Sequence, residues 1–509
     1  MASTRIAAID IGSNAPKLFI AEKGKDGKPK IVESVRANLS LGVDTYNNQV
    51  ISEESITELC DILKRFKKKL LEYKVKDFRV VATSAVREAK NRDFVLERIR
   101  QRTGFDCEVL SNSEERHLHN IGLSESFPDF EVLAKDKAIV VDMGAGSVQV
   151  TSYKAGERQI SHNLKLGYLR MTELFAEIQA RSSNYDQVMN DYIGAQLNTL
   201  NIYGLDFTEN ANLIALGNDL QYLYKFSDIA TPNNNFFSNL DIQKIYDLLL
   251  RTSPLELTLH YDVPSDVADN LLTIVMILNN FLTPYEIDGL YLPEVELSYG
   301  LLLDIAASAY KYKIMHDHTK DLVAATDVMA LQFGGSLEHL KAKERDAYAI
   351  YKVLSKKFNL SEDFEMLLRM SAKLSEVGKF IIPDDYLLTS AGIIRQNEFI
   401  GLSGRAAEII ADTITFSVGN EIPDDAHLNY RSYNYRLQVL QQAAILRVVN
   451  ALEYSGENKI TAITTTLNKD TLLIEVEVNR DITLEHWMLM QSSKLIEELF
   501  GLKLVLKEK

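Results

Sequence analysis

Along the first half of the chain, strand-like apolar runs alternate with helical stripes. Arg5-Ile6-Ala7-Ala8-Ile9 is an apolar run that ends in Asp10-Ile11-Gly12, with Ser13 close behind. Ala138-Ile139-Val140-Val141 ends the same way, in Asp142-Met143-Gly144, with Ser147 behind it. Each is followed by a second β-type run and a turn, at Gly24 and at Gly156, fourteen residues after its Asp. The repetition predicts a duplicated strand–loop–strand hairpin in two half-domains that face a shared cleft. Ile56, Leu59, Leu63, Phe66 and Leu70 recur at helical spacing and predict a helix over Glu53–Glu72. A strand at 78–82, a polar loop at 83–87, a helix at 93–102 stopped by Gly104, and a strand at 107–110 follow.

The second half-domain begins at the 138–141 strand. It holds another strand–glycine junction, Leu213-Ile214-Ala215-Leu216-Gly217, and a final strand and turn within 281–300 before a helix. From about 310 to 454 the pattern is helical. The last portion, 459–509, shows strands at 471–478 and 502–506 around a helix at 485–499. The expected division is 1–130 and 131–308 for two α/β domains, 309–455 for a helical domain, and 456–509 for a small α+β cap.

Composition narrows the class. With 509 residues, 46% hydrophobic and 25% charged, the chain is that of a soluble, multidomain globular protein. A net charge of −15 excludes a general nucleic-acid binder. Cys60 and Cys107 give neither a disulfide framework nor metal-ligand spacing, which fits a reducing, cytoplasmic setting. The N-terminus runs straight into a strand, without the pattern of a signal peptide. The longest apolar stretch, 271–282, contains Thr273, Asn279 and Asn280 and is too short to span a bilayer, so no membrane partner is expected. The basic run Lys64-Arg65-Phe66-Lys67-Lys68-Lys69 reads as the solvated face of its helix, with guidance of a polyanion as the alternative.

The candidate chemistry lies in the loops. Glycine lets backbone approach a ligand closely, and successive N–H groups in a tight turn make an anion-binding concavity. Gly12, Ser13 and Asn14 in the first loop, and Gly144, Gly146 and Ser147 in the second, suit phosphate oxygens. Asp10 and Asp142 would repel phosphate, so they suit a metal, its water or an attacking water; the plain alternative is a turn signal between strands. Ser111 and Glu114 form an S-x-x-E capping box, which leaves Glu115 to activate a water or to complement the helix dipole. Arg87 suits bidentate phosphate contact or an ion pair. His117 and His119, two apart on a helix, face different ways and make no metal pair, and His316 with His318 is equally unpersuasive. No nucleophile elbow, Walker loop or dinucleotide fingerprint is present.

At these residues the chain resembles the exopolyphosphatase / guanosine pentaphosphate phosphatase family. The match runs through 8–14, Leu39-Ser40-Leu41-Gly42, 82–89, Glu114-Glu115 and Asp142-x-Gly-x-Gly-Ser147. The resemblance implies two actin-like (ribonuclease H-like) domains around a cleft, followed by a helical HD-like domain and the small cap. It implies Mg²⁺-dependent hydrolysis of a terminal phosphoanhydride of inorganic polyphosphate or guanosine pentaphosphate, in a homodimer. Glu115 would activate water; Asp10, Glu115 and Asp142 would hold the metal. Gly12, Ser13, Asn14, Arg87, Gly144, Gly146, Ser147 and Gly217 would surround phosphates.

Several positions depart from the family pattern. Ala15-Pro16 follows Asn14 where the family has Ser, Ala145 interrupts the second glycine run, and Gln149 stands for a Glu. Asn218-Asp219 follows Gly217 in place of a glycine, and Arg116 replaces a small residue after Glu115. In the helical region Ser375-Glu376 stands where an His-Asp or His-Glu pair would, and Thr389 where another His is common, which predicts a structural and dimerising role there. The departures keep a second reading open: a catalytically weakened polyphosphate or guanine-nucleotide binding protein of the same fold. An ATP-using kinase of that fold is a third.

Overall fold

The computed structural model describes residues 5–181, 184–202, 211–285, 287–397, 399–419 and 426–509. It divides into two compact units, Met1–Asp317 and His318–Lys509.

The first unit is built on two sheets of the same plan. Strands β1 (Arg5–Ile11), β2 (Pro16–Lys23), β3 (Pro29–Arg36), β4 (Asp77–Ala82) and β5 (Glu108–Val109) stand in the order β3-β2-β1-β4-β5. The second sheet holds β6 (Lys137–Met143), β7 (Val148–Lys154), β8 (Glu157–Leu164), β9 (Asn212–Leu216), β10 (Phe236–Ser238) and β11 (Gly289–Tyr291). Its order, β8-β7-β6-β9-β11-β10, repeats the first and adds one edge strand. In both sheets a meander of three antiparallel strands is followed by two parallel ones. The register repeats too: Asp10 pairs with Lys17 across the first hairpin and Asp142 with Gln149 across the second.

β1 and β6 are buried along almost their whole length, as central strands covered on both faces must be. The helix Glu53–Glu72 forms where its stripe predicts. It buries Ile56, Leu59, Leu63, Phe66 and Leu70, and it leaves Lys64, Arg65, Lys67 and Lys68 exposed. The 271–282 stretch belongs to the helix Ser265–Leu282, buried within the second half. That helix takes Phe281 out of the strand expected in 281–300, which is confined to β11. The helix Leu297–Ala309 packs against the helix Asn112–Ser126, and a Cβ on Gly300 would stand 1.9 Å from the Leu118 carbonyl oxygen. Only glycine allows that approach.

The described residues of the second unit are mainly helical between His318 and Leu452 and end in a three-stranded sheet, β12 (Ile460–Asn468), β13 (Thr471–Val478) and β14 (Lys503–Glu508), in that order. One core runs through both parts: Leu367, Ile410 and Val448 from the helices cluster with Leu472, Ile474 and Val476 from β13. The helix expected at 485–499 is two, Thr483–Met490 and Lys494–Phe500. At Ser375-Glu376 the buried Lys343 ammonium donates to Ser375 Oγ (2.6 Å) and Glu376 Oε1 (3.1 Å). Among the described residues, no helix is long and apolar enough to cross a membrane.

Candidate functional site

Both Asp-x-Gly turns open onto one cleft of the first unit. Gly12, Ser13 and Asn14 line it from the first hairpin, Gly144, Gly146 and Ser147 from the second, and Gly217 from the end of β9. Asp10 and Glu115 also line it. Asp142 and Arg87 do not: each stands one layer behind a residue that does.

The loops are held by side chains as well as by turn geometry. Ser13 Oγ accepts from the Ala85 backbone N–H (3.0 Å) and bonds Ser84 Oγ (2.8 Å) and Tyr46 OH (3.0 Å). Its hydroxyl is therefore part of a network that ties the first loop to the turn after β4. That turn, expected as a loop, winds into one short helix, Ser84–Glu88. In the second loop a Cβ on Gly146 would stand 2.3 Å from Tyr46 OH. Arg170 Nε donates to the Gly146 carbonyl (2.7 Å), with its guanidinium over the Tyr46 ring. Ala145 is not among the residues with positive φ, so its side chain adds no backbone strain.

The helix Asn112–Ser126 joins the two halves. Its N-terminus is fixed by the expected capping box: Ser111 Oγ accepts from the Glu114 N–H (3.2 Å) and Glu114 Oε2 from the Ser111 N–H (2.9 Å). Glu115 points to the first half, where Arg87 Nη1 donates to its Oε2 (2.9 Å) and to the Leu110 carbonyl (2.7 Å). Burial works against the Glu115 charge, but the Arg116 and Arg87 guanidiniums outweigh it and hold the carboxyl below its ordinary value. Arg116 points to the second half. Its Nη1 donates to Asp142 Oδ2 (2.7 Å) and its Nη2 to Ser147 Oγ (3.0 Å). His119, three residues on and thus on the same helix face, places Nδ1 against the same Asp142 oxygen. Burial opposes the Asp142 charge, yet Arg116 and His119 bring its pKa down to about 2.

Asp10 shifts the other way. Its Oδ1, like that of Asp142, is buried with no hydrogen-bond partner among the described residues. Burial, helped by the nearby Glu115 charge, raises its pKa to about 7 against the pull of Lys17. Lys17 is itself paired with Glu296 Oε2 (3.1 Å). Asp219 faces the cleft with its Oδ2 bonded by Tyr168 OH and by Asn14 Nδ2 (3.3 Å); burial pushes its pKa up. Gln149 is buried and donates to Ser161 Oγ, away from the lining of the cleft.

Reading the sequence did not single out Lys17, Arg36 or Tyr168, and it considered His119 only as half of a metal pair; all four line the cleft too. Lys17 had a signal: it occupies, seven residues after Asp10, the place that Gln149 takes after Asp142. His119 had one in its spacing to Arg116. Tyr168 and Arg36 are brought in from distant segments and leave no local trace.

Comparison with known proteins gives the site a context. The Ppx/GppA phosphatase family matches residues 19–308, beginning just after the first loop. A Fusobacterium nucleatum protein named bifunctional 3-dehydroquinate synthase/phosphatase is 32% identical over 179 residues, 33% of this chain and 26% of that protein. Exopolyphosphatase 1 of Mycobacterium tuberculosis is 26% identical over 193 residues, 38% of this chain and 55% of that one. A guanosine-5'-triphosphate,3'-diphosphate pyrophosphatase of Aliivibrio fischeri is 25% identical over 184 residues, 36% of each. The chain thus spans from about a quarter to about half the length of these relatives. Among solved structures, an exopolyphosphatase from Cytophaga hutchinsonii superposes with a TM-score of 0.54 at 20% identity, over 61% of this chain and 99% of that one. That likeness and the repeated sheets fit an actin-like two-domain fold.

Proposed function

The chain belongs to the Ppx/GppA phosphatase family, and we propose that it is an exopolyphosphatase that removes terminal orthophosphate from inorganic polyphosphate, with guanosine pentaphosphate as a second substrate of the same cleft. The observation that carries this reading is the convergence of two Asp-x-Gly hairpins and Glu115 on one buried cleft. Relatives named for both activities support it. The reading takes the protein to be a cytoplasmic homodimer without nucleic-acid or membrane partners, in keeping with its net charge of −15.

The loop N–H groups of Gly12, Ser13 and Ser147 cradle the terminal phosphates, the Gly144 N–H being taken by the Ser147 carbonyl (2.9 Å), and Arg116 adds a guanidinium. Glu115, kept ionised and oriented by Arg87, takes a proton from a water aligned with the terminal phosphorus. The water oxygen forms the new P–O bond as the bridging P–O bond breaks. The electron pair leaves on the shortened chain as phosphate oxygen, and the Glu115 proton returns to solvent. Asp10 fits a divalent cation: a buried carboxylate oxygen without a partner, beside Glu115, is the donor that a hard cation takes. Magnesium held there supplies charge neutralisation for the phosphates.

Orthophosphate release from long-chain polyphosphate and from guanosine pentaphosphate, with Mg²⁺, tests the reading. A processive enzyme shortens long chains without a ladder of intermediates; a ladder, or no release, contradicts it. One observation favours the second reading, a weakened polyphosphate or guanine-nucleotide binding protein: the Asp142 carboxylate is already paired with the Arg116 guanidinium, with His119 against the same oxygen. Tight binding of either ligand with no Glu115-dependent turnover is its signature.

A further inference from the structure

We infer that Arg116 takes the place of a second divalent cation on the Asp142 side of the cleft, so that substrate phosphates lie between a metal ion on Asp10 and a fixed guanidinium. The inference rests on the phosphate-hydrolysing reading of the cleft and adds to it the nature of the second charge.

Four observations lead here. The two hairpins are equivalent in topology and register, so Asp10 and Asp142 occupy equivalent positions. Their access to the cleft differs. Each keeps a buried Oδ1 without a hydrogen-bond partner among the described residues, but Asp10 lines the cleft whereas Asp142 is screened from it. What screens it is the Arg116 guanidinium with the His119 ring beside it: both line the cleft, and both hold Asp142 Oδ2. A dication approaching Asp142 from the cleft meets these two groups first and is repelled by the guanidinium. Finally, Arg116 is 2% exposed and tied at its other nitrogen to Ser147 Oγ, so it is placed by the fold.

The chemistry of a guanidinium suits the task. It is always charged, so it attracts phosphate oxygens at any working pH. Phosphoryl transfer needs positive charge where negative charge is redistributed, and a preorganised guanidinium provides it without reorganisation. Arg116 also follows Glu115 directly, so the group that takes the proton and the group that holds the phosphate ride on one helical turn whose start the capping box fixes. In this arrangement the Asp142 carboxylate orients Arg116, and Ser147 sets its plane.

Counting Mn²⁺ ions bound to the metal-stripped protein, by the electron paramagnetic resonance signal of free Mn²⁺, tests the inference without reference to turnover. In the otherwise unaltered chain Asp142→Asn leaves the count unchanged. Arg116→Ala raises the count by one, Arg116→Lys does not, and the Arg116→Ala/Asp142→Asn pair loses the gain. Arg116→Gln, neutral and of similar length, gives the same gain if the alanine variant does not fold, with circular dichroism as the check. In kinetics Arg116→Ala lowers kcat by about 10²-fold or more, with a smaller change in KM. A count that falls in Asp142→Asn, or that does not rise in a folded neutral Arg116 variant, overturns the inference. Absence of phosphate release would sink the hydrolase reading and leave the Mn²⁺ count standing.

Discussion

Asp10 is the residue on which function and stability pull hardest against each other. Folded and without metal, it keeps its proton up to about pH 7; the unfolded chain releases it near the ordinary carboxyl value of 3.8. Between those values the folded state binds the extra proton, so stability falls as pH rises. Asp10→Asn removes the penalty. Metal-free, the variant should melt higher than the parent chain at pH 8, by up to the order of 4 kcal/mol in stability, with no difference at pH 4. Added Mg²⁺ should stabilise the parent chain and not the variant. Thermal melts at the two pH values check this, and a lower Tm for the variant at pH 8 contradicts it. Asp10, Gly12, Ser13, Asn14, Glu115, Gly144, Gly146, Ser147 and Gly217 could be read from sequence as neighbours of one cleft, because each sits on a strand end or helix start with a local signature. The second layer could not. Arg87 behind Glu115, and Asp142 behind Arg116 and His119, depend on which way a side chain turns once distant segments meet.

The helix Asn112–Ser126 carries Glu115, Arg116 and His119, so its first turn sets the geometry of the cleft. Ser111→Ala removes one half of the capping box and should cost about 1 kcal/mol. Its effect on turnover should exceed what that loss of stability explains, because Glu115 follows the cap directly, and Ser111→Asp, another good cap, should recover both. Chemical denaturation beside steady-state rates checks the pair; an alanine variant with unchanged kcat would separate the cap from the chemistry. This helix start, both hairpins and the amphipathic helix Glu53–Glu72 were legible because period and capping residues agree there. Elements of one or two turns were not. The Ser84–Glu88 turn is too short to show a period, and Gln491, Ser492 and Ser493 interrupt the apolar pattern at 485–499 only where the chain turns. The strand expected within 281–300 shrinks to three residues because an apolar helix end looks like a strand.

Over the whole molecule, the repeated Asp-x-Gly run foretold the duplication of the sheets, since a local motif was copied along with its fold. The four-part division of the chain had no such marker. The helices after His318 and the strands after Ile460 share one core, whereas the cores of the first unit lie within it. Residues 1–317 alone should therefore unfold in a cooperative transition and release phosphate from short-chain polyphosphate. Calorimetry and a phosphate assay on that fragment check both; a fragment without a cooperative melt would show that its cores do not suffice. The central claim is that Glu115 activates water in a cleft built by the two hairpins. It is tested most directly by phosphate release from polyphosphate by Glu115→Gln beside the parent chain, with polyphosphate binding measured on both. The account predicts a loss of about 10²–10⁴-fold in kcat with binding largely kept; an unchanged rate would contradict it.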